Sequence, residues 1–169
     1  MRNWYWIVVS TLVLVAALTG CGEEPLMGDV SFDRDRITPN ADGDADVLKI
    51  TYDLNRAAEI DITFEDQEGR VFTFREGARR GPSVEEPYQV LFAGVVDGYI
   101  LPGESFDGFA VTKRVLQDGA YVWTLRATDE TGHTERISGT LTVEDADAAL
   151  PELRNFSVSP PVFTPNRDG

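Results

Sequence analysis

From residue 29 onward, apolar side chains recur at every second position, and the three- and four-residue spacing of an amphipathic helix is missing. Such alternation, broken by turn residues, predicts strands. Val30 and Phe32 open the series. Leu48, Ile50, Tyr52 and Leu54 then share one face of 47–54, and Ile60, Ile62 and Phe64 share one face of 60–64. Asp66-Gln67-Glu68-Gly69 turns the chain into a returning arm at 71–74,. The charged stretch 78–86, interrupted by Gly81 and Pro82, reads as a loop, and 88–92 as a short strand. In 94–113 three turn signals, Asp97-Gly98, Pro102-Gly103 and Asp107-Gly108, predict an ordered insertion loop,. Residues 120–127 carry apolar side chains on both faces, as a central strand does. Asp129-Glu130-Thr131-Gly132 forms a hairpin turn, and 134–143 closes the domain with Ile137, Leu141 and Val143 as core candidates. About seven strands with turns between them predict an all-β fold, an antiparallel immunoglobulin-like β-sandwich over residues 29–145.

The beginning of the chain follows another rule. Arg2 is the only charge before an apolar run from Ile7 to Leu18, which is too short for the ~20 residues of a spanning helix,. The run ends in Leu18-Thr19-Gly20-Cys21, and Cys21 is the only cysteine. Residues 1–20 therefore read as a secretory signal peptide. The segment ending at Cys21 resembles the lipobox of bacterial lipoproteins. That resemblance implies a diacylglycerol on the Cys21 thiol, cleavage after Gly20 and a location in the cell envelope, outside the cytoplasm. The competing reading is an uncleaved N-terminal anchor with an incidental cysteine. Residues 21–28, polar and containing Gly22 and Pro25, are expected to be a tether that does not pack,. Gly22, rather than an aspartate, follows the cysteine, which in an organism with two membranes resembles lipoproteins destined for the outer one.

The two ends of the mature chain resemble each other. Val30-Ser31-Phe32 precedes Ile37-Thr38-Pro39-Asn40-Ala41-Asp42-Gly43. Phe156-Ser157-Val158 precedes Phe163-Thr164-Pro165-Asn166-Arg167-Asp168-Gly169 at the same offset. The expectation is a repeat: a domain, a proline-containing linker over 146–155, and the start of a second, truncated copy at 156–169. The T-P-N-x-D-G segment followed by a strand resembles the opening of FlgD-type immunoglobulin-like domains and of the C-terminal modules of gliding-motility-associated secreted proteins. Gln117-Asp118-Gly119-Ala120-Tyr121 and Ala127-Thr128-Asp129-Glu130-Thr131-Gly132 resemble their closing strand and turn. The Trp-Asp-Gly often found in that family is represented only by Val96-Asp97-Gly98. The resemblance implies a modular, immunoglobulin-like role. It does not imply flagellar hook assembly, which a lipid anchor and a repeat do not fit.

Charge narrows the function. The chain has 15 basic and 29 acidic side chains, a net charge of −14. Nucleic acid is excluded as a partner, because binding phosphates requires clustered Lys and Arg. The expected partners are the membrane, through the lipid on Cys21, and other envelope proteins or glycans. Asn40, Asp42, Asp44 and Asp46 alternate around Gly43, a pattern that suits a Ca²⁺ ion, although no glutamate follows to close an EF-hand,. The competing reading is a polar turn whose side chains bond nearby amides. His133 is the only histidine, so neither a His-based triad nor a zinc site can be assembled, and it reads as a solvated turn residue,. Glu85-Glu86 and Asp145/Asp147 read as surface, and Tyr121 and Trp123 as core. Tyr99, Phe106 and Phe109 are candidates for a ligand face on the insertion. The composite expectation is a non-catalytic module without a resident cofactor, calcium being the one candidate. It would space or present downstream domains. The alternatives are a glycan- or protein-binding module, or the stalk of an enzyme encoded beyond residue 169.

Overall fold

A computed structural model describes residues 24–150, with the exception of Asp107 and Phe109. Residues 1–23 and 151–169, on which the expectations of a signal peptide, a lipidated Cys21 and a second copy of the repeat fall, lie outside the described residues. The domain is all-β, a two-sheet sandwich. Ten strands run β1 Met27–Phe32, β2 Arg36–Ile37, β3 Leu48–Leu54, β4 Ala58–Glu65, β5 Val71–Arg80, β6 Tyr88–Phe92, β7 Val95–Asp97, β8 Lys113–Val115, β9 Gly119–Asp129 and β10 Thr134–Val143. One sheet has the order β1-β3-β6 and the other β2-β10-β9-β4-β5, while β7 and β8 form a separate ribbon. Every pairing is antiparallel except that of β2 with β10.

The alternation in the sequence is the alternation of burial. Leu48, Ile50, Tyr52 and Leu54 are buried, as are Ile60, Ile62 and Phe64. Period-two side chains on the two inner faces meet between the sheets. Phe64 stacks on Phe92 at 4.4 Å between ring centroids, and Phe32 on Trp123 at 4.0 Å, each pair bridging the two sheets. Removing one such ring costs about 3–5 kcal/mol, because the surrounding side chains refill the space only in part. β9 is central in its sheet. It turns Tyr121, Trp123, Leu125 and Ala127 inward, while its outer face carries Thr124, Arg126 and Thr128 beside Val122. That outer face is therefore mostly polar, not apolar as the sequence suggests.

Other boundaries differ from expectation for identifiable reasons. The tether ends earlier: Leu26 and Met27 are buried, and β1 begins at Met27. The expected loop at 78–86 begins only after Arg80, because β5 continues opposite β4. A bulge accommodates Glu76 and Gly77, and the Gly77 N–H donates to Asp61 Oδ1 at 2.7 Å,. The insertion has a paired neck, with Val95 opposite Val115 and Asp97 opposite Lys113. At Gly98 the two arms come so close that a Cβ would lie 1.5 Å from the Val111 carbonyl oxygen, which only glycine permits,. Ile137 is half-buried against the core, while Leu141 and Val143 lie within it.

Candidate functional site

Three polar constellations stand out. The first holds the chain where it enters. The Glu135 carboxylate accepts the N–H groups of Leu26 and Met27, both at 2.8 Å. Asn55 Nδ2 donates to the Pro25 carbonyl at 2.8 Å, and Arg56 Nη1 to the Glu24 carbonyl at 2.9 Å. Arg56 also pairs with Asp129 at 2.9 Å. The other Asp129 oxygen accepts from the Thr131 hydroxyl and from the amides of Thr131 and His133. The Thr131 hydroxyl, then Arg56, hold the Asp129 carboxyl far below the usual range. For Glu135, burial works to raise the pKa and the Met27 and Leu26 amides to lower it, and the amides prevail. His133 sits at this clamp, 3.6 Å from Glu135.

The second constellation is the loop from Asn40 to Asp46. Ala41, Gly43 and Ala45 all take positive φ, 64°, 95° and 52°. Alternating backbone of this kind turns successive amides toward one point and forms a nest that holds an anion. The anion here is the chain's own: Asp46 Oδ1 accepts from the amides of Asn40 and Ala41, and Oδ2 from that of Gly43. The Gly43 amide chiefly lowers the Asp46 pKa, against a smaller effect of burial. Asn40 Oδ1 and Asp42 Oδ1 accept from the amides two residues on. The Asp44 backbone carbonyl takes the Thr38 hydroxyl at 2.6 Å. Asn40 Nδ2 reaches Asp145, and the Asp147 amide donates to the Pro39 carbonyl. The loop therefore braces the segment by which the chain leaves the domain, not its entrance. Among the described residues no three His, Cys, Asp or Glu side chains converge as a metal ion would require.

The third constellation organises the insertion and was not legible in the sequence. The Arg114 side chain is fully buried. Its two terminal nitrogens grip the Glu104 carboxylate, Nη2 to Oε1 at 2.5 Å. Nη1 also donates to the Tyr99 carbonyl, and Nε to the Ala148 carbonyl at 2.9 Å. The guanidinium lies over the Tyr99 ring at 5.3 Å. The ion pair raises the pKa of Arg114 and lowers that of Glu104. One buried cation thus joins the insertion, its neck and the exit segment. The only hint in the sequence is an arginine between the apolar Val111 and Val115, a weak signal.

Tyr99 is not part of an exposed ligand face. It packs against the core, meets Phe72 edge-on at 4.9 Å and donates its hydroxyl to the Val115 carbonyl at 2.6 Å. Phe106 remains 36% exposed and Ile100 53%. Phe109 and Cys21 lie outside the described residues. Glu85, Glu86, Asp145 and Asp147 are exposed, as expected.

Neither a protein-family model nor a curated protein matches this chain. Among solved structures, CopC from Methylosinus trichosporium OB3b is similar over 75% of this chain and 98% of its own, with 18% identity and a TM-score of 0.36.

Proposed function

We propose that this chain is a non-catalytic, lipid-anchored module of the cell envelope that spaces or presents further domains. The observation that carries the reading is where the chain enters and leaves. Glu135, near the start of β10, holds Leu26 and Met27, and Val143, at the end of β10, leads directly into the exit segment. Eight residues of strand separate these points by about 27 Å. Entry and exit lie at opposite ends of the sandwich, the arrangement an in-line spacer needs. Both ends are tied down: at the exit the Ala146 N–H donates to Asp118, the Asp147 N–H to the Pro39 carbonyl, and Arg114 Nε to the Ala148 carbonyl. The lipobox-like Leu18-Thr19-Gly20-Cys21 supplies the anchor, and only Gly22 and Glu23 separate Cys21 from the first clamped residue. The exposed Ile100 and Phe106 favour a second reading, a glycan- or protein-binding role for the insertion.

Two measurements test the proposal. Radiolabelled palmitate should label the wild-type chain in a bacterial host and not Cys21→Ser, which should remain unprocessed. Spin labels at Glu24→Cys and Ala149→Cys should give one narrow distance at or above about 27 Å. Labelling of Cys21→Ser would remove the anchor from the proposal, and a short or broad distance would remove the spacer.

A further inference from the structure

Where side chains of β5 reach those of β3 and β6, a polar corner gathers hydrogen-bond donors without a carboxylate paired to them. Register turns Arg80 toward the interior, since it stands opposite the buried Ala58. Arg75 stands opposite the buried Ile62. Tyr52 on β3 and Tyr88 on β6 are paired directly and stack at 5.4 Å. Arg80 lies over the Tyr88 ring at 5.7 Å, and the Tyr88 hydroxyl donates to the Gly81 carbonyl at 3.1 Å.

Two polar atoms of this corner have no partner. Tyr52 is fully buried, and its hydroxyl proton has no acceptor; the side chain that approaches the oxygen is Arg80, itself a donor. Arg75 Nε is likewise buried and unpaired. A buried polar group in this condition costs about 1–3 kcal/mol, so a native structure normally satisfies it. Neither Arg75 nor Arg80 forms an ion pair among the described residues, although the chain holds 29 acidic side chains. Outward-facing Arg79, by contrast, is paired with Glu59 at 3.0 Å. Burial raises the pKa of Tyr52, against the opposing pull of Arg80 and Arg75, so its hydroxyl keeps its proton at neutral pH. Arg80 Nη1 donates to the Arg79 carbonyl at 2.9 Å, which leaves its other nitrogens, Arg75 Nε and the Tyr52 hydroxyl as donors with no carboxylate paired to them among the described residues.

We propose that this corner is an oxyanion seat, in which Arg75, Arg80 and the Tyr52 hydroxyl receive a carboxylate, sulfate or phosphate group. Arginine forks match such groups by paired, charge-assisted hydrogen bonds. The seat lies on the long edge of the sandwich, away from the exit segment, and does not depend on whether the chain is lipid-anchored.

The test is a calorimetric and NMR titration of the purified protein with sodium sulfate, sodium phosphate and sodium acetate, each against sodium chloride at matched ionic strength. Saturable binding is expected from at least one. Arg80→Gln and Arg75→Gln should each weaken it at least about tenfold, Tyr52→Phe should weaken it less, and Arg79→Gln should leave it unchanged. Preference for sulfate and phosphate identifies a tetrahedral ligand, and preference for acetate a carboxylate from a sugar acid or peptide. Failure of all three anions to saturate, or an equal loss in Arg79→Gln, overturns the seat. Arg75 and Arg80 lie on an edge strand, so their variants report on binding even where Tyr52→Phe changes stability by removing the buried hydroxyl,.

Discussion

The indole of Trp123 lies flat against Gly139, its cross-strand partner, so closely that a Cβ on Gly139 would stand 2.5 Å from Trp123 Cζ2. On its other side the ring stacks on Phe32 of the opposite sheet. Glycine within a strand usually weakens it, by about 0.5–1 kcal/mol relative to alanine. Here it makes the room that lets the largest side chain of the central strand join the two sheets. Gly139→Ala is therefore expected to destabilise by about 1–3 kcal/mol, the cost of overpacking, despite its better strand entropy. In a Trp123→Phe background the same substitution should cost less, and urea melts of the four proteins in a double-mutant cycle measure that coupling.

Arg114 should behave as the pin of the insertion. Arg114→Ala removes a buried cation together with its bonds to Glu104, Tyr99 and Ala148, and is expected to cost about 3 kcal/mol,. Hydrogen exchange should then accelerate at 98–104 and at 146–148 together, while the amides of β9 and β10 keep their protection relative to global stability. Loss confined to the insertion would show that the exit segment is held by other contacts.

The nest at Asn40 to Asp46 holds two alanines at positive φ, where an L side chain crowds its own backbone,. Ala41→Gly and Ala45→Gly should each raise stability by about 0.5–1 kcal/mol, a direction opposite to that of most glycine substitutions. Asp46→Ala should lower the melting temperature by leaving three amides without their acceptor. Because Asp46 already occupies the nest, Ca²⁺ should shift the melt no more than Mg²⁺ at matched ionic strength, in wild type and in Asp44→Ala alike. A Ca²⁺-specific shift that Asp44→Ala erases would instead assign the loop to calcium.

Acid should unfold the domain through identifiable carboxylates. Asp129, Asp46, Glu104 and Glu135 all have pKa values lowered by folding. A depressed carboxylate contributes its stability in full above its unfolded value, about 3.9 for Asp and 4.3 for Glu. It loses that contribution as pH falls through the folded value. Melting temperature should therefore be level near neutrality and fall below about pH 4. Asp129→Asn should start lower at neutral pH and fall less steeply in acid, because the group with the most strongly lowered pKa no longer titrates.

How much of this the sequence determined follows from the range of each interaction. Alternation is local, and it placed Leu48 to Leu54 and Ile60 to Phe64 with their inner faces correct, because a strand shows its two sides within a few residues. Turn chemistry is local too, and Asp66 to Gly69 and Asp129 to Gly132 were readable for that reason. Oxygen-rich 40–46 was legible as a polar loop. That its backbone forms a nest filled by Asp46 was not, since carboxylates facing a cation and a carboxylate facing amides have the same composition. In the sequence Tyr99 reads as a surface aromatic; in the fold Phe72 and Arg114 lie against it. Leu26 and Met27 looked like tether until Glu135, more than a hundred residues away, proved to hold their amides. The opposite placement of entry and exit, the burial of Arg114 and the unpaired corner at Tyr52 all depend on residues brought together by sheet pairing. Only the folded chain decides those, because the energy that selects them lies in contacts between distant segments and leaves no periodic trace along the sequence.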